Sequence, residues 1–427
     1  MMNSIKQFSS HSNNKSATQC LRWCGGVSGC SWWWLVCIIW CLQTVNAANI
    51  TCELCENENY QIEIDACYVT KPITLVKDEP LIFTVTSTSA SNITSVLFTP
   101  KNGQLQSNIT EVPREIFRIF PQLRKLEIRG NVQSISSDDF TDAKNLRHLT
   151  LNNQLECLSS HVFTYASNLS SITLSRNRIS RIEDNAFDGL FVLEQLTLSK
   201  NELKSLSRLM FAGLTKLNYL NLRDNDIDTI EDGTFDLPEL SELILSKNHL
   251  KTLSDHIFQG APLLQRLTID NNNLETIGRS MYNLKHANRI IMYQNKIRDI
   301  DIIEFAKLPE LCALWLRDSG FTFRNRTIDQ YQPSNSKVNY LDISYNHLSD
   351  PNDLQRLQIF KELKTITLDD NEYVHIELGN QTIHEIFPVL ETFHMSRNKW
   401  NCTWLKPVVE QATKDRIRTV LNTAECE

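Results

Sequence analysis

The sequence predicts an α/β solenoid bent into a horseshoe, with a parallel β-sheet on the concave side, an irregular convex side and a disulfide-closed cap at each end. Three observations predict it. A phrase of the form L-x-x-L-x-L-x-x-N-x-L returns about every 24 residues from Leu123 to Trp400. Apolar and polar residues alternate inside that phrase, the period-2 pattern of a strand buried on one face. A phenylalanine recurs downstream with nearly the same period.

The phrase is clearest as LEQLTLSKNEL (Leu193 to Leu203), LNYLNLRDNDI (Leu217 to Ile227), LSELILSKNHL (Leu240 to Leu250) and LQRLTIDNNNL (Leu264 to Leu274). It matches the leucine-rich repeat signature. Units begin at Leu123, Leu146, Leu169, Leu193, Leu217, Leu240, Leu264, Ala287, Leu311, Val338, Leu363 and Leu390, at intervals of 23 to 27 residues. Position 4 is aliphatic in Leu196, Leu220, Leu243 and Leu267, and position 6 in Leu198, Leu222, Leu245 and Ile269. Each unit therefore opens with a short strand.

Position 9 is asparagine in ten units, from Asn131 to Asn398. An amide donates and accepts at once, so these side chains should bond the turn backbones of adjacent coils. Gln154 supplies a longer amide, whereas Ser319 breaks the rule and predicts a bulged coil. Phe117, Phe140, Phe163, Phe187, Phe211, Phe235, Phe258, Tyr282 and Phe305 should stack as a convex spine, with Leu357 and then Ile383 or His384 taking their place later.

A single repeat cannot bury its own apolar face, so an array is stable only when its ends are protected. We divide the chain into a signal peptide (1–47), an N-terminal cap (48–92), about thirteen repeats (93–399) and a C-terminal cap (400–427). The irregular first repeat is Ile93 to Phe98 followed by Ile109 to Phe117.

Residues 1–47 hold three basic and no acidic residues, then the apolar run Trp32 to Leu42 and the small-residue pattern Val45-Asn46-Ala47, which reads as a secretory leader. The alternative is an uncleaved anchor, although the run falls short of the roughly 20 residues that span a bilayer. No later stretch approaches that length, so the sequence predicts no membrane span in the mature chain and secretion to the extracellular space. Removing the leader leaves 40 basic against 50 acidic residues, a formal charge of −10 with both signs mixed, which disfavours nucleic acid as a partner. Seven sequons, at Asn49, Asn92, Asn108, Asn168, Asn325, Asn380 and Asn401, predict a glycoprotein whose glycans close parts of the surface.

Seven cysteines remain, and Cys52, Cys55, Cys67, Cys402 and Cys426 cluster at the two ends. Cross-links are most useful there, because end coils cannot bury both faces. Cys402 with Cys426 is the firmest pair. The odd count leaves one thiol over, for which Cys55 is the candidate. It either links two chains in a disulfide dimer, joins a rearranged N-terminal pairing or stays inert. Cys157 and Cys312 read as isolated, partly buried residues.

Signatures of catalysis or of a cofactor are missing: the sequence has no G-x-S-x-G and no G-x-G-x-x-G. His384-Glu385 begins like H-E-x-x-H, but Pro388 stands where the second histidine must be, so no metal site is expected. The lone C-x-x-C at Cys52 to Cys55 has no second half and predicts no zinc. The expectation is a non-enzymatic protein without cofactor or metal.

Binding is assigned to the concave strip, where positions 3, 5 and 7 face outward and thirteen strands about 4.8 Å apart span on the order of 55 Å. The third and fourth units offer only small polar groups there. From the fifth unit the strip carries Tyr219, Arg223, Ile244, Arg266, Asp270, Arg289, Ile291, Tyr293, Trp315, Arg317, Tyr340 and Asp342. Trp, Tyr and Arg are the usual interface anchors, and Ile291, Tyr293 and Trp315 should adjoin as an apolar patch. The plainer alternative is that such residues simply suit strands and pack on cross-strand neighbours.

The opening segment ITCEL (Ile50 to Leu54) leading to ACYV (Ala66 to Val69), the stretch EVPREIFRIFPQLRKLEI (Glu111 to Ile128), the repeats and the exit NKWNCTWL (Asn398 to Leu405) resemble insect extracellular leucine-rich repeat proteins. The resemblance is strongest to short mosquito leucine-rich immune proteins and more distant to Toll and Slit ectodomains. It implies a Cys52–Cys67 bridge in the N-terminal cap, and pattern recognition or humoral immunity. In the wider family the C-terminal cap holds four cysteines; here Trp404 stands at one of those places and a single bridge remains. No heptads follow that cap, so the coiled-coil pairing of long members, and complement delivery through it, is not carried over. The expected function is a secreted recognition module that binds an extracellular protein or glycan in innate immunity. The alternative is a structural or adhesive component of extracellular matrix.

Overall fold

A computed structural model describes residues 48–52, 66–69, 74–75, 81–85, 92–98, 108–298, 300–323 and 335–422. The leader, Cys55, Asn325 and Cys426 lie outside the described residues.

Fifteen parallel strands form one sheet in strict chain order. They are β1 (Ala66–Val69), β2 (Ser95–Phe98), β3 (Lys125–Arg129), β4 (His148–Asn152), β5 (Ser171–Thr173), β6 (Gln195–Thr197), β7 (Tyr219–Asn221), β8 (Glu242–Ile244), β9 (Arg266–Thr268), β10 (Arg289–Ile291), β11 (Ala313–Trp315), β12 (Tyr340–Asp342), β13 (Thr365–Thr367), β14 (Thr392–His394) and β15 (Arg418–Val420). β2 to β14 fall on the repeat units. β1 and β15 extend the sheet past both ends, so the first and last repeats each have a neighbour. Away from this sheet, short parallel pairs such as Cys157–Leu158 with Arg181–Ile182 and Ser205–Leu206 with Thr229–Ile230 tie successive coils together.

The register repeats without slippage, Leu196 facing Leu220, Leu220 facing Leu243 and Leu243 facing Leu267. These four leucines are fully buried. Each such side chain contributes about 1.5–3 kcal/mol, gained only because the next coil covers it. The phenylalanine spine is present, with ring centroids 5.5 Å apart for Phe140 and Phe163, 5.8 Å for Phe163 and Phe187 and 6.2 Å for Phe235 and Phe258. In the later coils Leu357 and Ile383 are buried in its place, whereas His384 is exposed.

The asparagine ladder is the main polar device of the interior. Asn201 is typical: its Oδ1 accepts from Ile179 N at 3.1 Å, while its Nδ2 donates to Leu174 O at 2.9 Å and Leu198 O at 2.8 Å. The residue before each asparagine of the ladder from Asn177 onward turns left-handed, as in Arg176 (φ 59°), Lys200 (φ 57°), Asp224 (φ 62°) and Lys247 (φ 55°). That conformation costs a non-glycine residue about 1–2 kcal/mol, and the amide bonds that follow it offset the cost.

Two ladder positions depart from expectation. Gln154 is not a rung. Its coil is one residue short, so Leu155 N already reaches Asn177 Oδ1 at 3.1 Å and the Gln154 side chain lies half-exposed. At Ser319 the backbone itself substitutes for the amide: Ser319 O accepts from Ile297 N at 2.7 Å, and Ser319 Oγ donates to Leu316 O at 2.6 Å. This close approach requires glycine next. Gly320 has φ 76°, and a Cβ there would meet Ile297 O at 3.1 Å.

At the C-terminal end, helix Cys402–Lys414 packs beside β15 and is capped by Asn401, whose side chain accepts from Thr403 N. Cys67 and Cys402 are each disulfide-bonded. Cys157 and Cys312 are free and partly buried. Among the described residues no helix is long and apolar enough to cross a membrane.

Candidate functional site on the concave face

Strand alternation sends one row of residues into the core and the next onto the concave face, and the parallel register lines up each outward row across the coils. One row runs Tyr219, Glu242, Arg266, Arg289, Ala313, Tyr340, and the next runs Asn221, Ile244, Thr268, Ile291, Trp315, Asp342. A third row, one turn further, carries Arg223, Tyr293 and Arg317.

Ile291 and Trp315 are therefore direct cross-strand neighbours. Trp315 lies 4.8 Å from the Tyr340 ring, centroid to centroid, and the Arg289 guanidinium sits 5.5 Å over the indole. Arg317 sits 4.3 Å over the ring of Tyr345. Tyr219, Arg223, Ile244, Arg266, Ile291, Tyr293, Trp315 and Tyr340 are all partly exposed, and Arg289 and Arg317 are exposed. The aromatic, aliphatic and arginine members of the strip thus stay accessible to solvent, and those from Arg289 to Tyr340, joined by Tyr345, form one continuous aromatic and cationic surface. A guanidinium over an aromatic face gains about 0.5–1 kcal/mol at exposed sites, so these side chains are held in place before any partner arrives.

The acidic members of the strip behave differently from the sequence expectation. Asp270 is fully buried and Asp342 nearly so. Asp270 accepts from Ser246 Oγ at 2.5 Å and Asn271 Nδ2 at 2.6 Å, and Asp342 accepts from Ser344 N at 3.0 Å. Both serve as internal acceptors rather than outward charges. Burial, together with the nearby Asp270 carboxylate, raises the Tyr293 phenol above its ordinary value; burial and Asp342 do the same for Tyr340. Both phenols therefore remain protonated hydrogen-bonding groups across the physiological range.

Tyr345 and Glu242 were not legible as parts of the surface. Tyr345 occupies the left-handed turn position, which turns its ring back toward Arg317. Glu242 opposes Arg266 across β8 and β9 and accepts from its Nε at 2.9 Å. The signal for Glu242 was available, since residues 24 apart face one another in this register.

Elsewhere the remaining motif resolves into structure. His384-Glu385 lies on helix Ile383–Ile386, where Thr382 Oγ1 accepts from Glu385 N at 3.2 Å and Glu385 Oε2 accepts from Thr382 N at 2.7 Å. The glutamate is thus half of a capping box. Among the described residues no cluster of three or more His, Cys, Asp or Glu is placed to hold a metal ion.

A family model described as leucine rich repeat matches five overlapping segments, residues 152–203, 167–227, 191–250, 219–274 and 238–297. Residues 152–297 are leucine-rich repeats. Solved structures extend the likeness of fold to most of the chain. The leucine-rich repeat domain of mosquito APL1 aligns with a TM-score of 0.61 at 20% identity, covering 85% of this chain and 92% of that one. A Leptospira interrogans leucine-rich repeat protein aligns with a TM-score of 0.53 at 18% identity, covering 77% and 90%. The Drosophila Toll–Spatzle complex, described as a hub in development and innate immunity, aligns with a TM-score of 0.51 at 20% identity, covering 78% of this chain and 52% of that chain. A comparison with curated proteins gives no significant match. The architecture is a leucine-rich repeat solenoid, and domains of this class are typically protein-interaction modules.

Proposed function

We propose that the protein is a secreted recognition module that binds an extracellular protein through the concave surface between β7 and β12, in innate immunity. The observation that carries the binding site is the Ile291–Trp315–Tyr340 cluster with Arg289 stacked on it, an accessible apolar and aromatic patch on a sheet face that is otherwise small and polar around β5 and β6. Such anchors dominate interface energetics, whereas small hydroxyl and amide side chains contribute little. The leader-like segment 1–47 supports secretion. Support for glycosylation comes from the sequons, of which Asn92, Asn168, Asn380 and Asn401 are exposed; Asn49 and Asn108 fall on short strands. The repeat class and the fold shared with APL1 and Toll support the immune setting.

We further propose, from the family resemblance, that Cys67 pairs with Cys52, and, from their place at the C-terminal end, that Cys402 pairs with Cys426, which leaves Cys55 as the candidate for a link between two chains.

The test is capture by the full secreted chain. Trp315→Ala with Tyr293→Ala should leave secretion and cooperative folding intact, with a melting temperature lowered only by the loss of the Tyr340, Arg289 and Asp270 contacts, while removing a body-fluid protein that the native chain retains. Equal retention by the double variant refutes the site. A native chain found only in salt-resistant epithelial deposits, with no soluble pool, refutes the recognition role in favour of a matrix component.

A further inference from the structure

We infer that the partner presents an acidic polypeptide segment, with carboxylates set beside an aliphatic or aromatic side chain; this rests on the concave surface being the binding site. The inference comes from how the chain neutralises its own arginines along the strip. Arg129 Nε donates to Glu127 at 2.6 Å, Arg266 Nε to Glu242 at 2.9 Å and Arg397 Nε to Asp370 at 2.6 Å. Arg223, Arg289 and Arg317 have no carboxylate within ion-pair distance among the described residues. They lie on β7, β10 and β11 or one turn past them, so they bracket the Ile244, Ile291 and Trp315 row.

Arg289 is the most telling of the three. It directly opposes Arg266 across β9 and β10, and like charges facing one another in a sheet are destabilising. Arg266 is drawn off by Glu242 on its other side, but the other neighbour of Arg289 is Ala313, which offers no charge and no hydrogen bond. Of the nearby carboxylates, Asp270 and Asp342 are buried and held by Ser246, Asn271, Tyr293 and Ser344, and Asp370, whose charge Arg317 feels, is paired with Arg397. The surface thus presents guanidinium groups with free donors, pre-positioned over Trp315 and Tyr345, while its own carboxylates are engaged by other groups of the chain.

Arginine suits this role because its planar fork binds a carboxylate in two parallel hydrogen bonds. The spacing favours polypeptide over a sulfated glycan: the cations alternate with Ile244, Ile291 and Trp315, whose apolar area a polyanionic sugar would leave uncovered. A peptide carrying Asp or Glu next to Leu, Ile or Phe covers both kinds of group at once.

The experiment uses the full secreted chain as bait for a displayed library of random twelve-residue peptides, and in parallel for a heparin fragment. Recovered peptides should be enriched in Asp and Glu adjoining Leu, Ile or Phe. Their binding should weaken at least tenfold between 50 and 500 mM salt, since exposed charges are screened. Arg289→Glu with Arg317→Glu should reduce it at least 100-fold with the cooperative unfolding transition retained, and the doubly exchanged surface should select Lys-rich peptides instead. Neutral or basic peptides from the native chain, no peptides at all, or tighter retention of heparin than of any peptide would overturn the inference. Loss of binding by Trp315→Ala with Tyr293→Ala, without acidic enrichment, would leave the binding surface standing and remove only the charge assignment.

Discussion

Replacing Asn248 tests the polar interior most directly, because its bonds can be counted. The side chain is 3% exposed. Its Oδ1 accepts from Ile227 N at 3.1 Å, and its Nδ2 donates to Leu222 O at 3.1 Å and Leu245 O at 2.9 Å, with a longer bond to Ser246 O at 3.3 Å. The two carbonyls keep a second donor each, Asn225 Nδ2 at 3.0 Å for Leu222 and Asn272 Nδ2 at 3.0 Å for Leu245. Ile227 N–H has no such reserve. Asn248→Ala therefore orphans one buried donor, at about 1–3 kcal/mol, and weakens two shared bonds, for a total of about 3 kcal/mol. Asn248→Asp keeps an acceptor for Ile227 but turns its second oxygen toward the two carbonyls. An ionised carboxylate is unfavourable there, so its folded-state pKa rises, and the aspartate variant should be the less stable of the two at pH 7 and should recover as pH falls toward 4. Urea unfolding of both variants at pH 7 and pH 4.5, with hydrogen exchange at the Ile227 amide, measures this. An aspartate variant as stable as the native chain at pH 7, or an alanine variant losing under 1 kcal/mol, would refute the ladder as the source of interior polar stability.

Two further outcomes concern the C-terminal coils and the N-terminal cap. Asp353 is buried, accepts from Tyr373 OH at 2.8 Å and Arg356 Nη1 at 2.5 Å, and burial pushes its carboxyl up to about 6. A folded-state pKa above the unfolded value means that its stabilising contribution is full below about pH 4 and is lost as pH rises through 6. The native chain should thus gain on the order of 3 kcal/mol more than Asp353→Asn between pH 7 and pH 4, read as the difference between their urea midpoints; parallel curves would count against the burial assignment. If Cys55 links two chains, nonreducing gels of secreted protein will show a dimer that Cys55→Ser abolishes, and a monomeric native band would remove that role.

How far the sequence reached can be traced residue by residue. The strands, the asparagine rungs and the phenylalanine spine were legible because each depends on one coil and its translated copy, so periodicity alone reports them. Trp315 beside Ile291 was legible for the same reason. Gln154 was misread because its coil is one residue short, so the backbone donor to Asn177 comes from the tenth position, Leu155, instead of the eleventh, and the ninth side chain falls out of line with the ladder. The Ser319 backbone rung depends on Gly320 folding inward, and no repeat template carries that information. The inward roles of Asp270 and Asp342 depend on Ser246, Asn271 and Ser344, short hydroxyl and amide groups that in most rows would be solvent-facing. The Asp353–Tyr373–Arg356 cluster joins Tyr373, at the last apolar position of one unit, to Asp353 and Arg356, which lie outside the phrase of the preceding one, where the pattern is silent.

The uniform register described for β5 to β14 has a consequence for how such a surface changes over time. Each strand donates one rung of contact, and each rung is fixed by backbone and core leucines that a concave side chain does not touch. A partner spanning six strands is then gripped by six semi-independent rungs. Exchanging Arg289 or Ile244 retunes one of them while the scaffold beneath stays as it was, so the protein can follow a changing target by single steps.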